Sequence, residues 1–254
     1  MNTSLKKAIG NAVIMWIVGI FPIVFSVIYY AIDESGKYGD IAMCASLFSG
    51  GLLCAFVMKK EHNTALKDYL SKPDPITLLL VISTSFFYVI TTMYTLNRSA
   101  LVGEPEVDTI KIVSLISGST IVPIGEELIF RFSMLTLLLI ASKGNTAKNI
   151  FSIIMISIMW MIMHFPNRIT RVLDIMIIGF IIGFIYMKSK NILYCIIFHI
   201  IANSVTYSFA AVYHWFLDRE YIFYISAVLL LFSAIMLFYR LRHKTQLKFA
   251  IQEY

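Results

Sequence analysis

Gly125-Glu126-Glu127-Leu128-Ile129-Phe130-Arg131 is the stretch on which the reading of this chain turns. Two adjacent carboxylates and a guanidinium stand in it, with Ile121-Val122 before them and the apolar run Met134 to Ile140 after them. A segment this apolar belongs in a bilayer, where a charge at the centre of a helix costs about 2.5–3.5 kcal/mol to insert. Three unanswered charges would cost roughly 8–10 kcal/mol, so a chain keeps them only if they are paired, used, or both. Helical spacing divides them. Glu127 and Arg131 are four residues apart, lie on one face and can pair. Glu126 is turned about 100° from Glu127 and points elsewhere. Two readings follow. Either Arg131 holds Glu127 while Glu126 faces a cavity as a base, or all three form a buried structural network without chemistry.

The rest of the chain suits a membrane setting. Of its 254 residues 59% are hydrophobic and 14% charged, with a mean hydropathy of +0.79. A soluble domain is about 45–50% apolar and 25% charged. The formal charge is +6 and the sequence pI near 9.1, but this does not argue for a nucleic-acid partner. The basic residues sit in short segments between apolar runs, and most of the 21 fall on the side of the N-terminus, as the positive-inside rule requires. The partner implied is the lipid bilayer. Cys44, Cys54 and Cys195 all lie in apolar runs and are odd in number, so no disulfide framework is expected.

Taken in order, the apolar runs predict an all-α polytopic membrane protein of about eight transmembrane helices, a single membrane domain over 1–254. The expected spans are 13–32, 41–58, 76–96, 123–141, 150–165, 172–187, 192–212 and 221–238. The first is too long for a signal-peptide core and is read as retained. Pro123 and Gly125 predict a break just before the carboxylates, with a short helix over 110–122 leading into the fourth span. Gly50-Gly51 and the Gly179/Gly183 pair predict close helix packing. Residues 98–108 read as a connector, and Arg240, Arg242, Lys244 and Lys248 as a solvated basic tail near anionic lipid. An even number of spans puts both termini on one side, the cytoplasmic one by charge. The excess of lysine over arginine and the abundance of isoleucine suggest a bacterial plasma membrane.

Two histidines lie within spans. His164 closes Trp160-Met161-Ile162-Met163-His164, and His199 is followed four residues later by Asn203 on the same helix face. Either histidine alone reads first as a hydrogen-bonded packing residue. With Glu126 they make a chemical set, meeting at one level of the bundle. A carboxylate and an imidazole can hold and deprotonate water. An imidazole and an amide can donate to the oxyanion of a tetrahedral intermediate. No serine or cysteine nucleophile with a partner base stands out, so the attacking group would be water.

In this order, Glu-Glu-x-x-x-Arg, x-x-x-His and His-x-x-x-Asn resemble the CPBP family, the CAAX prenyl protease and bacteriocin-processing intramembrane endopeptidases also called the Abi family. The family's first motif matches Glu126, Glu127 and Arg131. Its Phe-x-x-x-His motif matches at His164, with Trp160 in place of the phenylalanine, a departure discounted because an aromatic is kept. Its His-x-x-x-Asn motif matches His199 and Asn203. The resemblance covers a catalytic core of about 110–212. It implies a glutamate-type mechanism in which Glu126 and His164 activate water, His199 and Asn203 stabilise the oxyanion, and Glu127 and Arg131 support the site. It also implies a peptide or protein substrate coming from the membrane, such as a pheromone precursor or bacteriocin leader, or a role in bacteriocin self-immunity.

No cofactor is required by this scheme. A catalytic zinc on Glu126, His164 and His199 remains an alternative, since three ligands plus water would suit it. A different class of function is a non-enzymatic membrane regulator or scaffold of a sensor kinase or transporter, with the polar set kept as a structural network.

Overall fold

The long apolar runs of the sequence become helices. The computed structural model describes residues 3–32, 39–95, 109–210 and 219–252, and no β-strand occurs among them. The helices are α1 (Thr3–Ile20), α2 (Ile23–Ile32), α3 (Gly39–His62), α4 (Pro75–Thr95), α5 (Thr109–Glu127), α6 (Thr136–Ser142), α7 (Thr146–Met163), α8 (Ile169–Ser189), α9 (Ile192–Ala210) and α10 (Glu220–Gln252). A π-helix, Leu128–Leu135, joins α5 to α6. The connector expected over 98–108 lies outside the described residues.

The boundaries follow local chemistry. Pro22 divides the first apolar run into α1 and α2. Pro75 occupies the first position of α4, where its missing N–H is no loss. Asp74 before it accepts from the Thr77 backbone N–H at 2.9 Å. Asn145 caps α7 by accepting from the Lys148 N–H at 3.0 Å. Lys143 and Gly144, both at positive φ, turn the chain between α6 and α7.

Six helical segments are long and apolar enough to cross a membrane: Leu5–Tyr29, Gly39–His62, Pro75–Thr92, Thr146–Met163, Ile169–Ser189 and Glu220–Arg242. Only 17% of the α10 window is buried within the protein. Its exposed face carries Val228, Leu231, Phe232 and Ile235. A contiguous apolar face of this kind needs a covering, and the bilayer supplies it. The shorter apolar segment Ile192–Thr206 of α9 and the unit from α5 to α6 complete the bundle. These two hold the glutamates and His199.

One sequence expectation is corrected and another refined. The chain does not break at Pro123, which sits inside α5. In a membrane bundle neighbouring elements tolerate an internal proline, and the change of register comes five residues later. There Ser133 Oγ donates to the Leu128 carbonyl at 2.8 Å and the Thr136 backbone N–H reaches Arg131 O, the wide spacing of a π-turn. The basic tail continues as helix, α10 running on to Gln252; Arg242 is exposed, as a solvated tail requires, while Arg240 also pairs with Asp74 at 3.3 Å.

The π-helix is the axis of the bundle. All eight of its residues are buried, and it touches α1, α3, α5, α6, α7, α8 and α9. Helix α3 packs along α5, α7 along α8, and α4 against α9 and α10. Gly50 and Gly51 work as the sequence predicts, with Gly50 turned to the Gly19 backbone of α1 and Gly51 to Gly125 of α5. A Cβ on Gly51 would lie 2.7 Å from the Gly125 carbonyl oxygen, and one on Gly125 would lie 2.6 Å from the Leu47 carbonyl oxygen. These are backbone atoms with no rotamer to yield. Gly125→Ala therefore trades a helix-propensity gain of about 1 kcal/mol against an overpacking penalty of about 1–3 kcal/mol. Net destabilisation with loss of function is expected, because the displaced residue precedes Glu126. Gly10, whose Cβ would meet nothing within 4 Å, is the control: Gly10→Ala should be neutral or stabilising. Thermal unfolding of both variants in detergent checks the contrast.

Candidate active site

The site is assembled where α5 passes into the π-helix. Glu126 and Glu127 are the last two residues of α5, and Arg131 is the fourth of the π-helix. Glu126 is 5% exposed, Glu127 0% and Arg131 1%. The two carboxylates do divide their work, but more finely than helical spacing suggests.

Glu127 accepts from Arg131 Nη1 at 3.1 Å, as the i,i+4 spacing predicts. The same oxygen, Oε1, also meets His199 Nδ1 from α9 at 2.9 Å. Arg131 in turn donates Nη2 to the Gly179 carbonyl of α8 at 3.4 Å and lays its guanidinium over the Trp160 ring of α7, 4.6 Å from the centroid. One anion and one cation thus join the π-helix to α7, α8 and α9. Charge-assisted hydrogen bonds of this kind are the strong ones in a dry interior.

Glu126 faces the other way. Its Oε2 accepts the Trp160 indole N–H at 2.6 Å. Its Oε1 lies 3.9 Å from His164 Nε2, and its Oε2 lies 3.8 Å from His199 Nε2. These separations exceed a direct hydrogen bond.

The tautomers follow from the partners. His164 Nδ1 lies 2.9 Å from the Trp160 carbonyl oxygen, which can only accept, so Nδ1 carries the proton. His199 Nδ1 faces a carboxylate already paired with Arg131, so it too is the donor. In their neutral forms both rings therefore turn an unprotonated Nε2 toward Glu126. Three acceptors converge on one buried spot, an arrangement that calls for donors: a water molecule and a proton.

Helix α7 ends where this chemistry needs it to end. Pro166 follows Phe165, which adopts a positive φ of 41°, and neither continues a helix. His164 is left at the C-terminal cap, with its side chain 26% exposed. It is more open to its surroundings than Glu126, Glu127, Arg131 and His199. Asn203 lies one turn beyond His199 on α9, half-buried, and its amide is hydrogen-bonded to no other described residue.

The structure thus brings Glu126, Glu127, Arg131, His164 and His199 together and keeps Asn203 on the His199 face. Sequence reasoning missed two links. The Glu127–His199 contact crosses 72 positions of chain, and nothing local announces it. Trp160 was readable, since it stands one turn before His164, but the discounting of its exchange for phenylalanine passed over its N–H.

The fold and this centre define a class: a polytopic helical membrane protein with a glutamate–histidine site buried in its bundle. Residues 108–205 match the family model "Type II CAAX prenyl endopeptidase Rce1-like". That segment holds every residue of the site, and its match supports the likeness to CAAX-type membrane endopeptidases that the motifs indicated. No curated protein and no solved structure matches the chain.

Breaking a buried ion pair from one side costs about 3–5 kcal/mol, because the partner charge is left uncompensated. Arg131→Ala and Glu127→Ala should each destabilise the protein on that scale, whereas a matched apolar pair, Glu127→Leu with Arg131→Met, should recover much of the loss. Denaturant titration of the three variants checks this. An additive double variant would count against the pair.

Proposed function

We propose that this protein is an intramembrane endopeptidase of the glutamate type, in which Glu126 and His164 activate a water molecule for attack on a peptide carbonyl. The observation that carries this reading is the approach of two imidazole Nε2 atoms to within 3.9 and 3.8 Å of the two oxygens of one buried carboxylate. The match to a family of membrane endopeptidases supports it.

The steps balance as follows. Water held between Glu126 Oε1 and His164 Nε2 gives a proton to the carboxylate as its oxygen bonds to the carbonyl carbon. The resulting oxyanion is met by the Asn203 amide and by His199 Nε2, which donates only when the ring carries its second proton. Glu127 accepts the Nδ1 proton and so aims Nε2 into the site. Collapse of the intermediate breaks the C–N bond. The proton returns from Glu126 to the leaving amine, and the carboxylate is restored.

The water is activated in this scheme by the protein's own groups. One oxygen of Glu126 is already bound by the Trp160 indole N–H, which leaves it less free to take a metal. The substrate class is a membrane-associated peptide or protein precursor of the pheromone or bacteriocin type, with bacteriocin self-immunity as a related role. The bias of basic residues supports cytoplasmic termini, and the excess of lysine over arginine with abundant isoleucine supports a bacterial plasma membrane.

Glu126→Ala combined with His164→Ala should abolish cleavage of such a precursor while expression and membrane insertion stay normal. Immunoblotting of precursor and product in cells checks this. Cleaved product at the wild-type level in the double variant would overturn the peptidase reading and favour a regulatory role through the spans. Purified protein treated with a zinc chelator should keep its full turnover. Loss of activity restored by zinc would replace the metal-free scheme.

A further inference from the structure

Trp160 does more than fill space. It is 2% exposed, and its ring is in edge contact with both histidines, at 5.0 Å from the His164 centroid and 5.3 Å from that of His199. The Arg131 guanidinium lies over it. On the side facing α8, a Cβ at Gly179 would come within 3.0 Å of Trp160 Cε3, so the absence of a side chain there makes room for the indole. Its polar atom is then aimed with care: the indole N–H reaches Glu126 Oε2 at 2.6 Å, and this is the only hydrogen bond that the Glu126 carboxylate receives among the described residues.

From this geometry we infer that Trp160 is a positioning residue for the catalytic carboxylate. Its N–H holds Oε2 of Glu126, so that Oε1 is the oxygen presented toward His164 and the reacting water. The inference rests on the peptidase reading for its kinetic consequence, but not for the contact itself. A carboxylate on a two-carbon stem has several rotamers in which neither oxygen faces His164 Nε2. A neutral donor fixed in a packed ring selects one of them. A phenylalanine, the residue of the family motif at this place, would occupy the same apolar volume and donate nothing. The exchange therefore adds a function to the site rather than conserving one.

The test separates ring packing from hydrogen bonding. Trp160→Phe should lower kcat roughly 10- to 100-fold, the worth of one hydrogen bond to a charged group, with KM within about twofold of wild type. Benzothienylalanine installed at position 160 keeps the bicyclic ring and replaces the N–H by sulfur. It should show the same fall in kcat even if Trp160→Phe folds poorly. Full kcat in the benzothienylalanine protein would overturn the inference, as would a loss confined to KM.

A second readout is independent of any substrate. In protein labelled with 15N on its indole rings, the Trp160 N–H proton resonance, assigned by its loss in Trp160→Phe, should lie downfield and move upfield in Glu126→Gln. A resonance unmoved by Glu126→Gln would show that the donor does not serve this carboxylate. If wild-type protein turned over no peptide while the resonance still shifted, the peptidase reading would fail and the positioning contact would stand.

Discussion

A single oxygen, Glu127 Oε1, carries the arrangement of this protein. It takes a hydrogen bond from Arg131 on its own segment and one from His199 on α9. Arg131 continues the chain of contacts to the Gly179 carbonyl and the Trp160 ring. Four helical elements that share little polar surface elsewhere are registered against each other at this point. In a bilayer interior apolar side chains gain little by choosing protein over lipid, so polar links and close packing decide which helices meet. A charge that would oppose insertion if left alone becomes the feature that orders the bundle.

The neighbouring carboxylate uses that order. Because Glu127 fixes the Nδ1 proton of His199, the ring can present only Nε2 to Glu126. The Trp160 carbonyl does the same for His164. Orientation of a histidine through its far nitrogen is a common device in active sites and metal centres. Here it occurs twice, once through a side chain and once through the backbone of the ring's own helix. Two adjacent residues of one helix thus divide structure from chemistry, which the 100° turn between them makes feasible.

Much of this was legible in the sequence, and the reasons are physical. Charges amid apolar residues are expensive, so Glu126, Glu127 and Arg131 announced themselves, and the i,i+4 rule paired the right two. Gly50-Gly51 forecast a close crossing because only glycine permits it. What was not legible depended on backbone register and on distant chain. Nothing in Leu128–Leu135 distinguishes a π-turn from an α-turn by composition, since its residues would be buried in either. Pro123 suggested a break because proline lacks a donor, but a membrane helix flanked by partners carries it through. Arg240 read as part of a solvated basic tail, and its partner Asp74, just before α4, lies 166 positions away in the chain. Trp160 was judged by its shape, and its polar atom was overlooked.

The two glycine seams of α3 have a mechanical consequence. Helices that touch through side chains can slip or roll by exchanging rotamers, but a crossing made of main-chain atoms has no such play. Gly50 against Gly19 and Gly51 against Gly125 therefore clamp α1, α3 and α5 into one plate. The Glu126 carboxylate sits at the rim of that plate. Across the site, α7 meets α8 through side chains instead, Ile153, Ser157 and the indole. Glu126 is therefore held by a main-chain seam, and His164 by a wall packed through rotamers.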